Sequence, residues 1–152
     1  MPQNWMRGNY TVTDDPSRVD VDVVHRYLAR SYWAQGITRD VVARSIANSL
    51  TFTLIHGDTQ VGFARTITDR ATMAYLADVF VLEEHQGRGL GVWLMECIMS
   101  HPDLQGLRVF RLATQDAHGL YAKFGFTPIA KPERMMEIID PAVYATDHKG
   151  DA

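Results

Sequence analysis

The sequence predicts an α/β (α+β) domain with a mixed central sheet of about seven strands flanked by four helices, in the order β-α-α-β-β-β-α-β-α-β-β. Three observations carry this expectation. Two segments with apolar residues at helical spacing come first, over residues 21–32 and 38–50. Three β-patterned segments follow, joined by the short turns Gly57-Asp58 and Asp69-Arg70. The last of them runs through a glycine-rich turn into an apolar helix ending near Met99, which is how a βα crossover reads in sequence.

In chain order, Asn9 to Thr13 reads as a short first strand, ended by Asp14-Asp15-Pro16. Ser17 or Asp20 is the expected cap of a helix whose apolar face is Val21, Val24, Leu28 and Tyr32. Thr38-Arg39-Asp40 opens a second helix carrying Val42, Ile46 and Leu50. Strands are expected over residues 51–56, 60–68 and 72–81, then a helix with Leu90, Trp93, Leu94, Cys97 and Ile98 on one face. His101-Pro102-Asp103 breaks it. Leu107 to Ala113 reads as a strand, Asp116 to Phe124 as a short helix stopped by Gly125, and Phe126–Ala130 and Met135–Ile139 as the final strands. Pro141 onward reads as a polar tail of one domain spanning residues 1–152.

Composition narrows the function classes. The 152 residues suit a single domain with a real core. A net charge of −3 with no Lys/Arg run gives no footprint for a nucleic-acid partner. No stretch reaches the ~18 apolar residues of a membrane span, and residues 1–7 lack a signal-peptide apolar region. Cys97 is the one cysteine, so no internal disulfide forms, and a reducing, cytoplasmic location is expected. On the apolar face of its helix, Cys97 reads as a core residue rather than a nucleophile. The six histidines show no metal-ligand spacing, most read as surface or loop residues, and no metal is expected.

The stretch Gln86-Gly87-Arg88-Gly89-Leu90-Gly91 carries the chemistry. A strand that turns through glycines into a helix start aims unpaired backbone N–H groups at one spot, where the helix dipole adds positive potential suited to phosphate. A dinucleotide-binding fingerprint fails because its third glycine would fall on Val92, and a Walker loop fails for want of Gly-Lys-Ser/Thr. The bland alternative is a tight turn that binds nothing.

What remains, Gln86-x-x-Gly89-x-Gly91 behind Val79-Phe80-Val81, resembles the pyrophosphate-binding motif of the GNAT superfamily of N-acetyltransferases. A second stretch, Tyr121-x-Lys123-x-Gly125-Phe126, resembles that family's Tyr-x-Lys/Arg-x-Gly-Phe pattern. The predicted element order is also that of the family, so the resemblance covers nearly the whole chain, with its specific residues in about 75–127. It implies acetyl-CoA as co-substrate and transfer of an acetyl group to a primary amine of a small molecule, amino acid or peptide by direct attack in a ternary complex. It also implies cofactor contacts from Val79, Phe80, Val81, Gln86, Gly87, Arg88, Gly89, Leu90, Gly91, Thr114, Ala117, Tyr121 and Lys123, with Tyr121 facing the cofactor's sulfur. Two positions depart from the pattern: Thr114 stands where many members carry Asn, and Ala77 where some carry a Glu proposed as base.

Acetyl transfer needs a positioned thioester, a neutral amine, a stabilised oxyanion and a proton for the departing thiolate. Tyr121 suits the last task, since a phenol titrates near ~10, like a thiol. Asp78, an acid in an otherwise apolar strand, is either the base (or amine-orienting group) or a structural hydrogen-bonding residue. Glu83 and Glu84 read as solvated loop residues. The acceptor side is expected in the first two helices and their loop, with Tyr27, Tyr32, Trp33 and Gln35; Tyr32, Trp33 and Asp78 are the substrate-contact candidates. A non-catalytic CoA-binding sensor or interaction module is the alternative function. A homodimer is the assembly that β-rich C-terminal edges invite.

Overall fold

The computed structural model describes residues 1–145. Its sheet has six strands in the order β1-β2-β3-β4-β5-β6: β1 (Asn4–Arg7), β2 (Tyr10–Thr13), β3 (Leu50–His56), β4 (Thr59–Thr68), β5 (Met73–Val81) and β6 (Val109–Leu112). Neighbours from β1 to β5 are antiparallel, and β5 pairs with β6 in parallel. Four helices complete the fold: α1 (Val21–Ala29), α2 (Arg39–Ala47), α3 (Leu90–Ser100) and α4 (His118–Ala122).

Local chemistry sets most boundaries. The Asp20 carboxylate caps α1 by accepting from the Asp22 and Val23 amides, and the Thr38 hydroxyl caps α2 by accepting from Val41. The Asp69 carboxylate ties the β4–β5 turn by accepting from the Thr72 hydroxyl and from the Thr72, Ala71 and Met73 amides, and these bonds hold it below the usual carboxylate range. Helix α1 stops at Ala29, so Tyr32 falls beyond it in a turn. Helix α2 stops at Ala47, and Leu50 opens β3 rather than closing the helix face.

The sheet separates two cores. On one face α3 packs Leu90, Trp93, Leu94, Met95, Cys97 and Ile98 against Phe52, Leu54, Ala74 and Leu76. On the other, Val24 and Leu28 of α1 and Val42 and Ile46 of α2 pack against Phe63 and Phe80. Phe63 and Ala64 are consecutive yet belong to opposite cores, as the strand alternation requires.

Strand count differs from expectation at both ends. The N-terminus forms an extra hairpin, β1–β2, whose Trp5 packs near Phe52 and His101. His101 is only 3% exposed, an exception among histidines read mostly as surface or loop residues. It receives the Asp103 amide on Nδ1 at 3.0 Å, so its Nε2 carries the proton donated to Asp14 at 2.7 Å. The expected strands Phe126–Ala130 and Met135–Ile139 do not form. Pro128 and Pro132 lack an N–H for a ladder, and residues 132–134 turn as a short 3₁₀ helix. Nothing among the described residues pairs with residues 135–139, where Met136 and Ile138 are almost fully exposed. The expected tail also differs, because Tyr144 packs against the α1–α2 core. Residues 146–152, the rest of that tail with His148, lie outside the described residues.

Candidate active site

Strand β5 breaks its pairing at the site. Ala77 faces Arg65 and Phe80 faces Phe63, so Asp78 and Val79 together oppose the single residue Ala64. This is a β-bulge, and Asp78 adopts a left-handed φ of 56° to make it. On the other side, parallel pairing to β6 ends at Leu76–Leu112. Beyond that point β5 and β6 part, which leaves the β6-side edge of Ala77 to Val81 open.

The open edge leads into the glycine turn. Gly87 (φ 78°) and Gly89 (φ 76°) take the left-handed conformation, and a Cβ on either would meet only open space. Gly89 is the N-cap of α3 and offers no side-chain cap. The six backbone N–H groups from Gly87 to Val92 have no acceptor among the described residues. Such a run at a helix start is a cradle for an anion. Arg88 in the turn and Lys123 just after α4 are exposed and make no ion pair among the described residues.

Some predicted residues contribute backbone only. Phe80 is 4% exposed and stacks on Tyr27 with ring centroids 4.1 Å apart, and Leu90 is buried in the α3 core. The Gln86 amide donates to the Val81 carbonyl at 2.8 Å, so its side chain closes the loop. The Thr114 hydroxyl accepts from the Ala117 amide at 3.0 Å and shapes the start of α4.

A cleft of about 880 Å³ opens where β5 and β6 part. It brings together Asp78, Val79, Thr114, Ala117 and Tyr121 with Tyr27, Tyr32 and Trp33, whereas Gln35 stands outside its lining. Asp78 is fully engaged: one carboxylate oxygen accepts from Trp33 Nε1 at 2.9 Å and the other from Arg65 Nε at 2.8 Å. Arg65 also donates to Ser49 Oγ at 3.2 Å. Tyr121 is 8% exposed, and its hydroxyl has no hydrogen-bond partner among the described residues. Burial, with the Tyr32 phenol and Asp116 beside it, pushes its hydroxyl above the usual phenol range, so it stays protonated near neutral pH.

Sequence reasoning missed Arg65, Tyr75, Asp116 and Tyr144, all of which line the cleft. Arg65 had a visible signal: a lone cation in the apolar run Val61-Gly62-Phe63-Ala64 to Ile67 needs a partner, and Asp78 is a lone acid one strand on. Tyr144 stood as an aromatic in a tail read as polar. Tyr75 and Asp116 gave no local signal.

A family model described as the acetyltransferase (GNAT) domain matches residues 47–128. A Gibberella zeae protein named as a candidate acetyltransferase is 35% identical over 145 residues, covering 80% of this chain and 81% of its own. A candidate GNAT-family acetyltransferase from Xanthomonas campestris pv. campestris has a solved structure that is 51% identical, with TM-score 0.88 over 90% of this chain and 97% of that one. A candidate acetyltransferase from Clostridium acetobutylicum, solved with acetyl-CoA, is 13% identical at TM-score 0.63, over 86% of this chain and 95% of its own, and shares the fold. With its family model across more than half the chain and its element order and glycine loop in agreement, this chain belongs to the GNAT family of acetyltransferases.

Proposed function

We propose that the chain transfers an acetyl group from acetyl-CoA to a primary amine of a small molecule, amino acid or peptide, by direct attack with both bound in the β5–β6 cleft. The single observation that carries this reading is the continuity of an open β5 edge with six unpaired N–H groups at Gly87 to Val92. An extended chain of amides ending in a pyrophosphate matches that combination, and neither feature serves the fold itself.

The residues present fit coenzyme A. The N–H groups of the Gly87–Val92 turn would take the pyrophosphate, with Arg88 as a cation within the turn and Lys123, at the end of α4, as a second. Backbone groups of Val79 to Val81 would pair with the amide arm as an added strand does. Acetyl-CoA supplies an activated acyl group whose sulfur leaves as a thiolate. Tyr121 holds a proton at the buried end of the cleft and is the group to give it to that sulfur. Asp78 has a donor on each oxygen, which supports positioning of Arg65 and Trp33 at the acceptor wall over duty as base. Solvent in the cleft then takes the proton of the amine.

Two finer readings complete the proposal. We read the protein as cytoplasmic, in keeping with its lone, buried Cys97; among the described residues, no helix is long and apolar enough to cross a membrane. We also read it as a homodimer, with the exposed segment Met135–Ile139 and the free edge of β6 as the surfaces that a second copy covers.

Thermal unfolding with acetyl-CoA, and with ATP and NAD as controls, tests the cofactor. A ligand that binds only the folded state adds about 2.7 kcal/mol at ~100 times its Kd. A rise with acetyl-CoA alone supports the reading, and no rise in a folded, CoA-free protein sinks it. The alternative, a CoA-binding sensor without turnover, would show the same rise but no thiol release with any amine.

A further inference from the structure

The cleft has a chemistry of its own. Five of the chain's six tyrosines line it (Tyr27, Tyr32, Tyr75, Tyr121 and Tyr144), together with Trp33. Their placement is fixed rather than incidental. Tyr32 and Trp33 meet edge to face at 5.0 Å, and Tyr27 and Trp33 lie 6.3 Å apart. Trp33 is pinned to Asp78 by its ring N–H. The Tyr32 hydroxyl accepts from the Gln115 amide at 3.2 Å and so spans the two sides of the cleft. Tyr144 reaches the same wall from beyond the last helix, against Gly36.

The charges are as selective as the rings. Arg65 is the only cation among the described residues lining the cleft, and it is committed to Asp78 and Ser49. Asp116 also lines the cleft and makes no hydrogen bond or ion pair among the described residues. A carboxylate or phosphate on the acceptor would therefore find no unengaged cation among the described lining residues and would face an unpaired acid. Neutralising it with Arg65 would strip Asp78 of its partner in a poorly hydrated place. An ammonium group, by contrast, is attracted to the faces of Tyr and Trp and to a free carboxylate. A flat apolar body finds rings on which to stack.

On the reading that the chain is an acetyl-CoA-dependent amine acetyltransferase, we infer that its acceptor is an arylalkylamine: an amine on an aromatic body that carries no carboxylate or phosphate. This narrows the acceptors above by excluding free amino acids and phosphorylated amino sugars. Asp116 serves as the specificity-determining anion, and Tyr32, Trp33 and Tyr144 as the walls.

The test uses the full chain and thiol release from acetyl-CoA. Phenethylamine is compared with phenylalanine, tryptamine with tryptophan, and phenethylamine with butylamine; glucosamine 6-phosphate is the phosphorylated acceptor. Each arylalkylamine is expected to exceed its amino acid, and phenethylamine to exceed butylamine, by at least tenfold in kcat/KM, with no turnover of the phosphate. Asp116→Lys should cut the phenethylamine-to-phenylalanine ratio at least fivefold. Phenethylamine should also quench the tryptophan fluorescence of the CoA-loaded protein, and Trp33→Phe should abolish that quenching. Should Trp33→Phe fail to fold, the substrate ratios of the wild type decide alone. Phenylalanine or the phosphate turning over as well as phenethylamine would overturn the inference while acetyl-CoA binding left the activity intact. Absence of acetyl-CoA stabilisation would instead remove the activity itself, and this inference with it.

Discussion

The Asp78 carboxylate receives the Arg65 guanidinium at 2.8 Å while its own backbone holds a left-handed φ of 56°. One residue thus makes the bulge that opens β5 and neutralises the only cation among the described residues of the cleft lining. Its two jobs separate by mutation. Asp78→Ala leaves Arg65 with no carboxylate partner and keeps a Cβ at positive φ, so it should lower stability by about 2–3 kcal/mol, read from the urea midpoint. Asp78→Gly loses the same pair but relaxes the backbone, and should retain about 1 kcal/mol more than Asp78→Ala. Equal losses would show that the backbone at Asp78 carries no strain.

The glycines of the turn should not behave alike. Gly89→Ala puts a Cβ at φ 76° with open space around it, so the expected stability loss is only about 1 kcal/mol. Acetyl-CoA affinity should fall at least tenfold by calorimetry, because the new methyl stands among the unpaired N–H groups. Gly91 has no left-handed φ and lies in the first turn of α3. Gly91→Ala should therefore raise stability, by up to about 0.5–1 kcal/mol, since alanine is the better helix former.

The buried pair His101–Asp14 ties the end of α3 to the segment after β2. His101→Ala removes a donor from Asp14 and an acceptor from the Asp103 amide, and opens space beside Trp5 and Phe52. A loss of about 2–3 kcal/mol is expected by urea unfolding. A loss under 0.5 kcal/mol would mean that the N-terminal hairpin is not anchored there.

Burial pushes the Cys97 thiol up to about 12 from its usual value near 9. A thiolate-selective reagent at pH 8 should then label the folded protein about a thousandfold more slowly than the urea-unfolded one. The sign for stability follows: the raised folded value favours the native state below pH 9, and that contribution is lost as pH rises from 9 toward 12. Tyr121, also raised by burial, acts in the same direction above pH 10. Rapid native labelling at pH 8 would contradict the core placement of Cys97.

How much of this was legible depends on whether the signal is local. Asp20 and Thr38 announce their helices, Gly57-Asp58 its hairpin, and the apolar face around Leu94 its burial, because each is decided within a turn or two of chain. The glycine turn and the short helix that carries Tyr121 were legible for the same reason. The β1–β2 hairpin was missed because Asn4 to Arg7 has little β-propensity of its own and is held by pairing with β2. The two last strands were over-read: their alternation is real, but a strand needs a ladder partner, and none is present among the described residues. The pinning of Asp78 by Arg65 and Trp33 joins residues 13 and 45 positions apart, a relationship set by topology alone.

The most direct test of the central claim is steady-state acetyl transfer to phenethylamine by the wild type and by Tyr121→Phe, with both substrates saturating. Phenylalanine fills the same buried space and removes only the hydroxyl, so folding and cofactor affinity should hold. The account predicts a kcat lower by about 10²–10⁴, with KM for acetyl-CoA within about threefold. An unchanged kcat would contradict it, and would leave Tyr121 as a core aromatic beside a cleft whose proton comes from elsewhere.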